Sequence, residues 1–310
     1  MNEKNYKAHL AILVTNIIFG INIPISKHVM QEYLNPLSLT FFRMIGACLI
    51  FWIASFTLKN DKIEKKDFLF IVFAALFGIF INQFSFIQGL SMASSINASI
   101  IVTFTPIMTM LVSFLFLKEP ITWKKIIGVL MGATGAIALV VTSHPNTSSV
   151  DGSIWGDVFC FISCLAYAIY LTRFKFLIDK YHPVTLMKWM FLFASAMSLP
   201  FCFNSIAAVS FEAIPVQAYF QIAYVIVGAT FVTYLLIPIG QRNLRPTTLT
   251  MYNYLQPLLA ACIAVIFGLD TFGLVKTAAA ILIFAGVYVV MKSKSRMQME
   301  KEKEKVQGAG

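Results

Sequence analysis

Ten apolar stretches, each close to twenty residues long, constrain this chain more than anything else in it. About twenty such residues carry a helix across a bilayer. The stretches run Ala8–Val29, Pro36–Leu58, Phe68–Leu90, Ser95–Leu117, Thr122–Thr142, Ile154–Leu177, Val184–Asn204, Val216–Ile239, Thr247–Leu269 and Gly273–Met291. In hydrocarbon every backbone polar group must be satisfied within the structure, which a helix does by itself. Of 310 residues, 58% are hydrophobic and 12% charged, against roughly 45–50% and 25% in soluble domains. The expected fold is an all-α integral membrane protein with ten transmembrane helices. The longest connection, at 143–153, carries the turn formers His144-Pro145-Asn146 and Asp151-Gly152 and divides the chain. It leaves one unit at 8–142, a second at 154–291 and a charged tail at 292–310.

The two units share a layout. Thr105-Pro106, Glu119, Lys125 and Gly135 are matched 151 positions later by Gln256-Pro257, Asp270, Lys276 and Gly286, and Phe116 by Phe267. A repeat of this kind has to be read before any single motif. Five spans per unit is an odd number, so the two copies cross the membrane in opposite directions. The expectation is two inverted five-helix repeats, an arrangement from which many secondary transporters build alternating access.

Net charge is +10, which suggests nucleic acid only until the cations are located. Twenty lysines and arginines fall at the N-terminus, in alternate loops and in the tail; the opposite loops hold only Lys27 and Lys276. That bias is a topology signal and places both termini in the cytoplasm of a multi-pass inner or plasma membrane protein. No nucleic-acid partner is expected. Lys4 and Lys7 ahead of an apolar run imitate a signal peptide, but the run is too long and is read as a retained first span. The five cysteines all lie inside spans and are assigned to packing.

Polar side chains inside a bilayer must face protein or water. Asn16, Gly20, Ile23 and Lys27 form a stripe on the first span; Gly78, Asn82, Ser85 and Gly89 form one on the third. Leu249, Asn253, Gln256 and Ala260 do so on the ninth, flanked by Tyr252 and Tyr254. Tyr167 and Tyr170 add to this from the sixth span, and Tyr224, Thr233 and Tyr234 from the eighth. A cavity lined by spans 1, 3, 4, 6, 8 and 9 is the functional reading, with Asn16, Asn82, Asn97, Tyr167, Tyr234, Tyr252 and Asn253 as candidate substrate contacts. Interhelical hydrogen bonding is the alternative for each. Phe80, Phe84 and Phe86 are assigned to lipid or packing faces.

Arg43 lies about 10 Å into the second span at 1.5 Å per residue, among the small residues Thr40, Gly46 and Ala47. Two readings stay open: a contact for an anion, or an arginine that snorkels outward. Lys188 is read as snorkelling. Pro106 and Pro257 each remove one helical hydrogen bond and are candidate hinges in the two copies. The steps Gly128, Gly132 and Ala136 are assigned to packing within one chain, so a monomer is the expectation. Phosphate-binding loops, paired buried carboxylates and a Ser–His pair are all missing from the sequence. An enzyme is therefore not expected, nor is a cofactor or metal.

In sequence the chain resembles the drug/metabolite transporter superfamily, in particular its EamA-like ten-span members. The matching pieces are Asn16-Ile17-Ile18-Phe19-Gly20, Arg43, Asn82-Gln83, Ala98-Ser99 through Pro106, Leu117 to Glu119, and Gly128 with Gly135. In the second unit they are Gly156-Asp157, Gly228 with Tyr234, Pro257 and Gly286; Asp270 and Ala279 depart from the pattern. The resemblance implies a membrane carrier, typically an exporter of amino acids, metabolites or drugs. Four-span relatives use a glutamate in their first span to exchange protons for cations; the first span here has no acid, so that mechanism does not carry over. The expected function is a secondary transporter exporting a small polar metabolite or amino acid. The alternative is a membrane-embedded sensor or scaffold without transport.

Overall fold

The computed structural model describes residues 3–58, 61–93, 95–142, 153–266 and 273–294. It is all-helical. Ten spans follow in order: α1 (Glu3–Glu32), α2 (Pro36–Thr57), α3 (Phe68–Ala75, Leu76–Ile81 and Asn82–Met92), α4 (Ser95–Val102 and Thr105–Leu117) and α5 (Trp123–Thr142) complete the first unit. The second contains α6 (Ile154–Arg173), α7 (Pro183–Ala207), α8 (Val216–Ala223, Tyr224–Val232 and Thr233–Asn243), α9 (Pro246–Met251, Tyr252–Tyr254 and Leu255–Ile266) and α10 (Leu274–Met291). Among the described residues, nine helices are long and apolar enough to cross a membrane. The expected ninth span is instead divided, and its last residues lie outside the described ones, as do Phe267, Asp270 and most of the 143–153 connection.

Local chemistry sets several helix starts. The Asn35 side chain accepts a hydrogen bond from Leu37 N at 2.9 Å ahead of Pro36, and Ser153 accepts from Trp155 N at 3.2 Å ahead of α6. Each cap satisfies a backbone donor that the first turn leaves open, worth about 1 kcal/mol. Proline at the start of α2 and α7 fits for the same reason: no partner exists there for the missing N–H.

Pro106 and Pro257 correct the hinge expectation. Neither bends a continuous helix. The chain leaves the helix at Thr103-Phe104, and Pro106 is the second residue of the segment that follows. In the other copy a 3₁₀ turn at Tyr252–Tyr254 precedes the new segment, and Pro257 is its third residue. Both prolines occupy first turns, where no hydrogen bond is forfeited.

The copies share further irregularities. α3 widens to a π-helix at Leu76–Ile81, and α8 does so at Tyr224–Val232; shifted by 151 positions, the first stretch falls within the second. Packing follows an exchange of the two units. α3 packs on α6 as α1 does on α8, α4 on α6 as α1 does on α9, while α2 meets α7 and α5 meets α10 across the axis. At the α5–α10 crossing a Cβ on Gly286 would lie 2.5 Å from the Gly128 carbonyl oxygen, and one on Gly135 would lie 2.6 Å from that of Ala279. The small-residue stripe of α5 therefore packs within the chain. Outward faces carry exposed Leu115, Phe203, Phe220 and Leu274, as a lipid-facing surface requires.

Candidate functional site

A cavity of about 100 Å³ lies among α1, α2, α3, α4, α6, α8 and α9, just past the widened stretches of α3 and α8 and beside the irregular stretches of α4 and α9. Four pairs of lining residues stand 151 positions apart: Gln83 with Tyr234, Phe86 with Ile237, Val102 with Asn253, and Thr105 with Gln256. The exchange axis of the fold thus runs through the cavity.

Irregular backbone adjoins this wall. A π turn shifts the helical hydrogen-bond ladder and leaves carbonyls short of partners. The Tyr234 hydroxyl donates to Gly78 O at 3.0 Å in the first widened stretch, and Thr230 Oγ1 donates to Val225 O at 2.8 Å in the second. Asn253 sits on the 3₁₀ turn itself. Asn82 Nδ2 donates to Ser163 Oγ and to Ser163 O, both at 3.0 Å, tying α3 to α6 beside the cavity.

Of the residues singled out from sequence, Asn82, Tyr167, Tyr234, Asn253 and Arg43 line this cavity together. Arg43 is 4% exposed and does not snorkel; its Nε donates to Thr230 Oγ1 at 3.1 Å. Two candidates fall elsewhere, and a third cannot be placed. Asn16 is buried one step behind the wall: it donates to Ile12 O and accepts from Gln256 Nε2 at 2.9 Å, so Gln256 takes the lining position. Tyr252 turns away and bonds to His9 Nδ1 at 2.7 Å, because the 3₁₀ turn rotates the helix face inferred for a regular ninth span. The Asn97 side chain lies outside what the structure describes.

Two other expectations change. Phe86 lines the cavity, whereas Phe80 and Phe84 pack against Phe201. Lys188 is buried with its ammonium 4.8 Å from the centre of the Trp52 ring, a cation–π contact in place of snorkelling. Asn22, Gln83, Thr105, Ser163 and Cys164 also line the cavity without having been singled out as contacts. The repeat itself could have nominated two of them: Gln83 is the counterpart of Tyr234, and Thr105 that of Gln256.

Charge is sparse here. Among the described residues, Arg43 is the one lysine, arginine, aspartate or glutamate lining the cavity. Asp61, Glu64 and Asp67 gather instead at the end of the bundle that holds the N-terminus and the lysine-rich loops, the basic end. There Lys180 Nζ lies 2.6 Å from both Asp67 Oδ2 and Glu64 Oε1. The Tyr181 hydroxyl donates to Asp67 Oδ2 at 2.6 Å, and His182 N donates to Asp61 Oδ2 at 2.7 Å. The hydrogen bonds from Lys180 and Lys66 hold the Glu64 carboxyl below its ordinary range. Asp67 and Glu64 push the Lys180 ammonium up. Every one of these bonds between the 61–67 and 180–182 segments joins one unit to the other.

Known proteins carry the same pattern. The EamA-like transporter family model matches residues 6–141 and 154–292. The YicL inner membrane transporter of Salmonella typhimurium is 22% identical over 92% of this chain and 95% of its own length. YyaM, an uncharacterized transporter of Bacillus subtilis, is 20% identical over 92% and 93%. An uncharacterized transporter of Archaeoglobus fulgidus is 26% identical over 64% of this chain and 69% of its own. A solved crystal structure superposes over 93% of this chain and 96% of that one with a TM-score of 0.71 at 15% identity, which speaks for the fold alone. With two matched units that together span most of its length, the chain belongs to the EamA-like transporter family and is a multi-pass membrane transporter.

Proposed function

We propose that the protein is a secondary transporter exporting a small polar metabolite or amino acid by alternating access. The observation that carries this reading is the cavity between the units, lined in pairs by equivalent positions of the two copies. A site on an exchange axis meets the same backbone from either side, which is what alternating access from inverted repeats requires. Asn82, Tyr167, Tyr234, Asn253 and Arg43 serve as substrate contacts, and Asn16 positions Gln256. The irregular stretches ahead of Pro106 and Pro257, a turn at Thr103-Phe104 and a 3₁₀ turn at Tyr252–Tyr254, serve as the hinges.

In this reading the basic end and both termini are cytoplasmic, a proposal supported by the charge bias of the loops. In that orientation the contacts of Lys180 and Tyr181 with Asp67 close the cytoplasmic end. The test is transport by the purified full chain in lipid vesicles against a panel of radiolabelled amino acids and small metabolites. Saturable movement that Asn253→Ala weakens is expected. Movement no faster than in protein-free vesicles across the whole panel would sink the transport of such solutes.

A further inference from the structure

Resting on that transport reading, we infer that the substrate is a small monocarboxylate whose acid group seats on Arg43. Burying an arginine in a bilayer is costly, and such residues are retained with a partner that answers their charge. Among the described residues the one hydrogen bond from the guanidinium is from Nε to Thr230 Oγ1, a neutral acceptor, and Nη1 is buried with no partner. A planar guanidinium offers a fork that matches a carboxylate, and Arg43 opens onto the cavity.

The second copy helps hold the fork. Thr230 lies in the widened stretch of α8, and its hydroxyl hydrogen is spent on Val225 O, five residues back. Its oxygen is therefore left as an acceptor for Arg43, which fixes one edge of the guanidinium and leaves another to a ligand. Close to the Tyr234 phenol, with Arg43, stands Gln83, buried and with neither amide atom in a hydrogen bond of good geometry. Polar groups left in that condition inside a cavity are positioned for something that is not part of the chain.

The rest of the lining limits the ligand. A single arginine neutralises a single negative charge, and a second charge on a phosphate ester or dicarboxylate would face no cation. A cationic solute would meet Arg43 with no carboxylate to offset it. Phe19, Phe86, Val102 and Ile237 provide apolar wall for a short side chain. Asn82 lines the cavity and spends its amide hydrogens on Ser163, which leaves its oxygen as the acceptor for a hydroxyl or ammonium on the carbon next to the acid.

The experiment uses the full chain in phosphatidylethanolamine–phosphatidylglycerol vesicles. It compares lactate, alanine and valine with their amides, with glycerol phosphate and with putrescine, in wild type and in Arg43→Gln and Arg43→Lys. At least one monocarboxylate should move while its amide moves tenfold more slowly or not at all. Arg43→Gln should slow it at least tenfold, and Arg43→Lys should keep part of the rate. Should Arg43→Gln fail to fold, protection of wild-type Arg43 from phenylglyoxal by the acid, and not by its amide, takes its place. Equal movement of acids and amides, or acids unaffected by Arg43→Gln, overturns the inference and leaves transport standing. Movement of putrescine or glycerol phosphate alone does the same. No movement of any solute removes both.

Discussion

The two ends of the bundle are built on equivalent backbone and closed by different chemistry. At the basic end Lys180 holds Asp67 across the units. The positions equivalent to these, 151 residues away in each direction, are Val29 and Ala218. Both are buried in one apolar cluster with Leu34, Leu39 and Ile214 at the opposite end. Beside that cluster Ser38 Oγ donates to Ser205 O at 2.8 Å, and at the same end Ser153 N donates to Met92 O at 3.0 Å, both neutral contacts between the units. One repeat therefore ends in charge and the other in packing. Exposed ion pairs respond to salt and to pH, and buried apolar contacts respond to neither, so solution conditions can loosen one end and spare the other.

The largest way to break this comparison is to remove the axis that both ends share. Gly286→Leu would drive its side chain into the Gly128 carbonyl, 2.5 Å from where a Cβ sits. Overpacking of that kind costs about 3 kcal/mol or more, and thermal unfolding in detergent should fall sharply, with amide exchange accelerating at both ends. Leu34→Ala comes next, at about 2–3 kcal/mol for an emptied apolar site. Exchange should rise around residues 29–39 and 214–218 only, by the same factor at low and high salt.

Lys180→Glu should act on the basic end alone. It sets a third acid beside Glu64 and Asp67, and exchange across 61–67 and 177–185 should rise about tenfold. Acceleration at the opposite end too would show that the two are not closed independently. The smallest effect is that of the medium. Raising salt to about 1 M should speed exchange at the basic end about two- to threefold and leave the apolar end unchanged. For pH the signs oppose. Glu64 is depressed, so its contribution is complete above the ordinary carboxylate value and lost as pH falls through its lowered one. Lys180 is raised, so its contribution is complete below the ordinary lysine value and lost as pH climbs through its raised one. Between those limits the protection of this end, taken relative to the intrinsic exchange rate at each pH, should be flat.

Length, hydropathy and the 151-residue register were enough to foresee the spans, the repeat and its inversion, because each rests on a property of local sequence. A bilayer demands some twenty apolar residues wherever a helix crosses, and an odd span count inverts a repeat whatever its side chains. Arg43, Asn82, Tyr167, Tyr234 and Asn253 were legible as polar groups needing a protein-facing environment. What periodicity could not supply was the direction of residues on irregular backbone. A stripe drawn at 3.6 residues per turn fails where α9 tightens at Tyr252–Tyr254, and Tyr252 turns to His9 while Asn253 keeps the cavity. The same regular helix was assumed at Pro106 and Pro257, whose breaks come before the proline. Only the tertiary structure decided that Arg43 opens inward, that Gln256 displaces Asn16, and that Lys180 pairs with Asp67. Those are choices between partners far apart in sequence, and in a bilayer they are made by whichever helix stands close enough to satisfy a buried polar group.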